Sequence, residues 1–133
     1  MIEAYALWTD HDRFLGQASS GHELVVDAGG EKTANSPVEL ALIGLCACTA
    51  SDVVSILRKK REPFTSLHVL ATAERAETFP KVFTNIRLVY RVGGSVTHKA
   101  VEDAIRLSKE KYCSVSAMLE KTAKIEFEIE YAG

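Results

Sequence analysis

The stretch Ser36-Pro37-Val38-Glu39-Leu40-Ala41-Leu42-Ile43-Gly44-Leu45-Cys46-Ala47-Cys48-Thr49-Ala50-Ser51-Asp52-Val53-Val54 opens like a helix and then stays apolar on nearly every face. Ser36 suits the cap, Pro37 the first helical position, and Glu39 completes a Ser-x-x-Glu capping box. The basic run Arg58-Lys59-Lys60-Arg61 before Pro63 marks the other end, where cations favour the negative helix terminus. A helix from Ser36 to about Lys60 follows. From Val38 to Ala50 such a helix has to be covered all round, which a single chain of 133 residues can hardly do alone. The expectation is a central helix covered by a second copy of the chain.

Around this helix the pattern changes period. Residues 2–9, 13–18 and 22–27 alternate as short strands, separated by Asp10-His11-Asp12 and Ser19-Ser20-Gly21. Asp27–Asn35 is a polar, glycine-containing loop. After the helix, Ser66–Arg75 and Val82–Val92 read as two strands of a hairpin, with Glu77-Thr78-Phe79-Pro80 between them. Thr97 to about Glu110 has helical spacing, residues 114–121 form a shorter helix, and Ile125–Tyr131 alternates strictly as a final strand. Helices grouped against antiparallel sheet make the chain α+β, one domain over residues 1–133.

Composition narrows the function classes. The chain has 47% hydrophobic and 26% charged residues and a net charge of −2, so no basic field attracts nucleic acid. The N-terminus lacks a basic region followed by an apolar stretch, and no apolar run approaches the roughly 20 residues of a membrane span. A cytoplasmic protein without membrane or nucleic-acid partners is expected. No glycine-rich phosphate loop, Gly-x-Ser-x-Gly elbow or His-Glu-x-x-His motif is present. His11, His22, His68 and His98 are scattered and read as surface or edge residues, so neither metal nor cofactor is expected.

Three cysteines remain. Cys48 has small neighbours, Ala47, Thr49 and Ala50, with Gly44 one turn earlier, leaving room for a substrate or a second sulfur. It reads equally as a reactive thiol or as a small buried hydrophobe. Cys113 stands where a second helical segment begins, a position whose free N–H groups favour a thiolate. Taken together the pair suggests redox cycling, because a peroxide-attacking thiolate needs a second thiol to trap its sulfenic acid. Cys46 lies about 200° round the helix from Cys48 and reads as core. Asp52, at i+4 from Cys48, would oppose thiolate formation if it lay beside the sulfur.

Over essentially its whole length the chain resembles the osmotically inducible protein C / organic hydroperoxide resistance (OsmC/Ohr) family. The resemblance is carried by Gly16-Gln-Ala-Ser-Ser-Gly-His22, Ser36-Pro-Val-Glu-Leu40, Cys48-Thr-Ala-Ser-Asp-Val-Val-Ser-Ile-Leu57 and Tyr112-Cys-Ser-Val-Ser116. It implies an intertwined homodimer with the active sites at its interface. Cys48 would be the peroxide-attacking thiol, Cys113 the resolving thiol, and a dithiol such as a lipoylated protein the reductant. Metal, haem and flavin are not required.

Three positions depart from the family pattern. Val38 stands where an activating glutamate usually follows the helix-opening proline, and Glu39 comes one position later. Arg13 is the sole arginine of the first three strands, at a spacing from Gly16 that differs from the family's. Ser114-Val115 follow Cys113 in place of proline and an aromatic residue. The sequence therefore points to an organic hydroperoxide reductase, with Arg13 or Glu39 as activating residues and an apolar lining near Leu42, Leu45 and Met118. The alternatives are a non-enzymatic dimer that binds a small apolar or thiol-reactive ligand, and a redox sensor.

Overall fold

The computed structural model describes residues 1–132. The chain divides into two compact units, Met1–Leu42 and Ile43–Gly133. In the first, β1 (Ala4–Asp10), β2 (Arg13–Ala18) and β3 (Glu23–Asp27) form an antiparallel meander in the order β1-β2-β3. Buried Asp27 ends it. Its carboxylate accepts the N–H groups of Gly29 at 2.9 Å and Thr33 at 3.0 Å, so the loop closes on a charge with its donors in place.

Helix α1 (Pro37–Lys59) begins where the sequence places it. Ser36 N–H donates to Glu39 Oε1 at 2.9 Å, and Glu39 N–H donates to Ser36 Oγ at 3.2 Å, which is the reciprocal capping box. Its buried residues are Leu45, Thr49, Val53 and Leu57, one per turn. A single stripe therefore faces the rest of the chain, and the expected all-round cover is absent within the single chain. On length and composition alone α1 could also cross a membrane, contrary to the sequence expectation, because small residues extend the apolar stretch around Asp52. The central helix of a soluble protein meets the same test.

The second unit holds β4 (Phe64–Arg75), β5 (Phe83–Gly94) and β6 (Lys124–Ala132), in the order β4-β5-β6. Ile86, Leu88, Tyr90 and Val92 alternate onto the buried face of β5, as a period of two requires. The β4–β5 hairpin is antiparallel as expected, whereas β6 runs parallel to β5. The connection explains the difference: it carries α2 (His98–Leu107) and α3 (Ser114–Leu119), long enough to return the chain to the same end of the sheet. Ala100, Val101, Ala104 and Ile105 form the buried stripe of α2. The expected helix to Glu110 stops at Leu107, and Ser108–Tyr112 widen into a π-turn.

Replacing Ser36 with alanine removes one half of the capping box. It should lower the unfolding free energy by about 1 kcal/mol, read as a shifted urea midpoint at unchanged slope.

Candidate functional site

Cys48 lies on α1, half-buried, and Cys113 is buried at the N-cap of α3. Both are reduced, and the Cys48 thiol lies near enough to Cys113 to raise its pKa. Cys113 Sγ accepts the N–H of Ser116 at 3.3 Å, in the manner of a capping oxygen.

The expectation that a helix start would favour the Cys113 thiolate is overturned. Burial pushes its pKa well above the ordinary thiol value, the Cys48 thiol pushes it further, and the Ser116 N–H opposes them only in part. One N–H from a six-residue helix does not offset the loss of water around the sulfur. Cys46 is likewise raised by burial, which backbone hydrogen bonding to Ala71 opposes in part. The sequence reads Cys46 as core, but it is only half-buried, as Cys48 is.

A chain of buried hydroxyls flanks the thiols. Thr49 Oγ1 lies 2.7 Å from the Tyr90 hydroxyl and 2.8 Å from Ser108 Oγ, which donates at 2.8 Å to Asp52 Oδ2. Each hydroxyl has one proton, so the carboxylate fixes the order. Ser108 spends its proton on Asp52 and must accept from Thr49, and Thr49 must then accept from Tyr90. Burial holds the Tyr90 phenol up at about 12, although its bond to Thr49 pulls the other way, so the outermost donor keeps its proton. Among the described residues no buried side-chain polar atom lacks a partner.

Sequence reasoning placed Asp52 near the site but not in this chain, and missed Thr49, Ser108 and Tyr90. The available signal was hydroxyl-bearing residues within apolar periodic stretches. Their pairing across 41 and 59 residues has no sequence signature.

Arg13 and Glu39 belong to the first unit and are engaged locally. Arg13 is paired with Asp10 through two nitrogens, its Nε at 3.2 Å, and the guanidinium holds the Asp10 carboxyl well below the usual range. Glu39 is the capping carboxylate, lowered by its Ser36 bonds. In the single chain Met118 is 68% exposed and Leu45 fully buried. Among the described residues no His, Cys, Asp and Glu side chains group as a metal site.

The family model described as OsmC-like protein matches residues 29–128. The chain belongs to the OsmC-like family. It is 42% identical over 125 residues to Protein YhfA of Escherichia coli strain K12, covering 93% of each chain. A crystal structure of a hypothetical protein from Aquifex aeolicus VF5 superposes at a TM-score of 0.86 with 32% identity, covering 100% of this chain and 98% of the other. An organic hydroperoxide resistance protein from Elizabethkingia anophelis shares the fold at a TM-score of 0.73 with 19% identity, covering 99% and 96%.

The alkaline limit of this OsmC-like protein follows from the raised groups. Cys113 and Tyr90 are neutral when protonated and have higher pKa values folded than unfolded. Their contribution to stability is full below the ordinary values of 9.0 and 10.0 and is lost as pH climbs through the folded ones. Urea midpoints of the reduced protein should fall steadily above about pH 9. A flat profile from there to pH 11 would contradict the burial assigned to both groups.

Proposed function

We propose that this OsmC-like protein is a thiol peroxidase that reduces organic hydroperoxides through Cys48 and Cys113. The observation that carries the reading is the reduced pair itself, one thiol half-buried and one buried, in mutual reach. The Cys48 thiolate attacks the distal peroxide oxygen and the O–O bond breaks. The alkoxide leaves as alcohol after taking a proton, and Cys48 becomes a sulfenic acid. The Cys113 sulfur then attacks the Cys48 sulfur, water departs, and a disulfide forms. An external dithiol restores both thiols and is itself oxidised.

Burial suits Cys113 to the second role. It stays protonated and out of contact with peroxide while Cys48 is reduced. Conversion of Cys48 to a neutral sulfenic acid removes the thiolate charge that helps hold the Cys113 proton. The first oxidation thus eases the ionisation that the closing step needs.

A homodimer accompanies this reading. Leu7, Trp8 and Val25 of the meander, and Ile43 and Leu70 of the second unit, are all about half exposed or more in the single chain. With the uncovered faces of α1 they leave more apolar surface than an isolated subunit ordinarily shows. Through the family resemblance Arg13 is the proposed cation for the Cys48 thiolate. Glu39 stays a capping residue.

Purified protein should consume tert-butyl or cumene hydroperoxide with dihydrolipoamide as reductant, and Cys48→Ser should abolish turnover. One equivalent of peroxide should remove about 2 Da from the protein and link Cys48 to Cys113 in the peptide map. Unchanged thiols would instead identify a non-enzymatic binding protein. Arg13→Ala should slow sulfenic acid formation by at least about tenfold, as loss of an activating charge does. An unaltered rate removes Arg13 from the site.

A further inference from the structure

Ser108 makes contacts that connect the two thiol-bearing segments. Its hydroxyl grips α1 at two points one turn apart, accepting from Thr49 and donating to Asp52 at 2.8 Å each. Thr49 directly follows Cys48 in the chain. The main-chain carbonyl of Ser108 accepts the N–H of Cys113 at 2.8 Å, the i+5 bond that closes the π-turn. A single residue therefore ties the backbone of one cysteine to the helical turn that carries the other. Ser108 is fully buried and Thr49 only 2% exposed, so water cannot substitute for a lost partner without repacking.

The π-turn adds a geometric reason. In continuous α-helix the N–H of residue 113 would reach back four residues, and the extra residue in the turn changes how the chain leaves α2. Cys113 follows that turn directly and adopts extended backbone, φ −76° and ψ 102°, before α3 starts. Such a turn is weak on its own and needs support from outside. The bonds from Ser108 to α1 supply it.

We infer that the Tyr90–Thr49–Ser108–Asp52 chain is a clamp that holds the Cys113 thiol in closing range of Cys48, which makes Thr49 and Ser108 positioning residues for disulfide formation. The inference rests on the proposed thiol cycle only in taking Cys48 and Cys113 as the pair that closes. Its chemistry is displacement at sulfur, where misplacement of the attacking atom by a fraction of an ångström already costs rate.

An aromatic disulfide, dithiobis(nitrobenzoate), tests the clamp without peroxide. The Cys48 thiolate displaces one thionitrobenzoate and forms a mixed disulfide. Cys113 then loses its proton and displaces the second thionitrobenzoate as the protein disulfide closes. The two releases are separate absorbance phases, recorded in a Cys46→Ala background to remove the third thiol. Thr49→Val keeps the side-chain volume and removes the hydroxyl. It should lower the ratio of second-phase to first-phase rate by about tenfold, and Ser108→Ala should do the same. Thr49→Ser, which keeps the hydroxyl and loses only a methyl, should restore the ratio to within about twofold. Tyr90→Phe should lower it less than Thr49→Val, since Thr49 can still donate to Ser108.

An undiminished ratio in Thr49→Val overturns the inference, as does a drop in Thr49→Ser equal to that in Thr49→Val. If the parent shows no second phase, the pair does not close and the clamp has no role. If Thr49→Val and Ser108→Ala both lose their far-ultraviolet circular dichroism, the chain is a stability element rather than a positioning one, and the inference fails. A protein that closes its disulfide with the aromatic reagent but ignores organic hydroperoxide would refute the peroxidase reading while leaving the clamp intact.

Discussion

Burying the Thr49 hydroxyl inside an otherwise apolar helix stripe costs free energy unless both its proton and its oxygen find partners. Two distant segments supply them, Tyr90 on β5 and Ser108 after α2, and each is fixed in space by the requirement. A well-packed leucine at position 49 would satisfy the core without specifying which residues face it. The hydroxyl specifies them, because a misregistered strand or helix leaves a buried polar group without a partner. The order of donors is then forced by the one group in the chain that only accepts, the Asp52 carboxylate.

The thiols inherit their properties from this frame. Cys48 is one residue before Thr49, and Cys113 is one π-turn beyond Ser108, so the polar chain and the sulfur pair share their supports. In the proposed cycle burial separates their roles. The thiol that meets solvent can meet a substrate, whereas the one held above the ordinary thiol range by burial is suited to wait for a partner sulfur. The local sequence around Cys113 suggests the opposite, since a helix start favours a thiolate. Desolvation outweighs a single N–H from a short helix.

Local signals made much of the fold legible. The capping box at Ser36 and Glu39, the period-two strands on either side of α1 and the break at Tyr112-Cys113 are all where nearest-neighbour chemistry puts them. What failed depended on partners far along the chain. The direction of β6 is set by the length and packing of its connection, and alternation along a strand is the same whether its neighbour runs parallel or antiparallel.

The sequence by itself determined the element order, the start and end of the long helix, and the OsmC-like family. These rest on capping, periodicity and short motifs, which act over a few residues or are read position by position. Only the tertiary structure brought the two thiols together, raised Cys113 instead of lowering it, and joined Tyr90, Thr49, Ser108 and Asp52 into one chain. Desolvation and hydrogen-bond satisfaction belong to surroundings assembled across 59 residues of sequence, and no local pattern encodes what a buried hydroxyl will face.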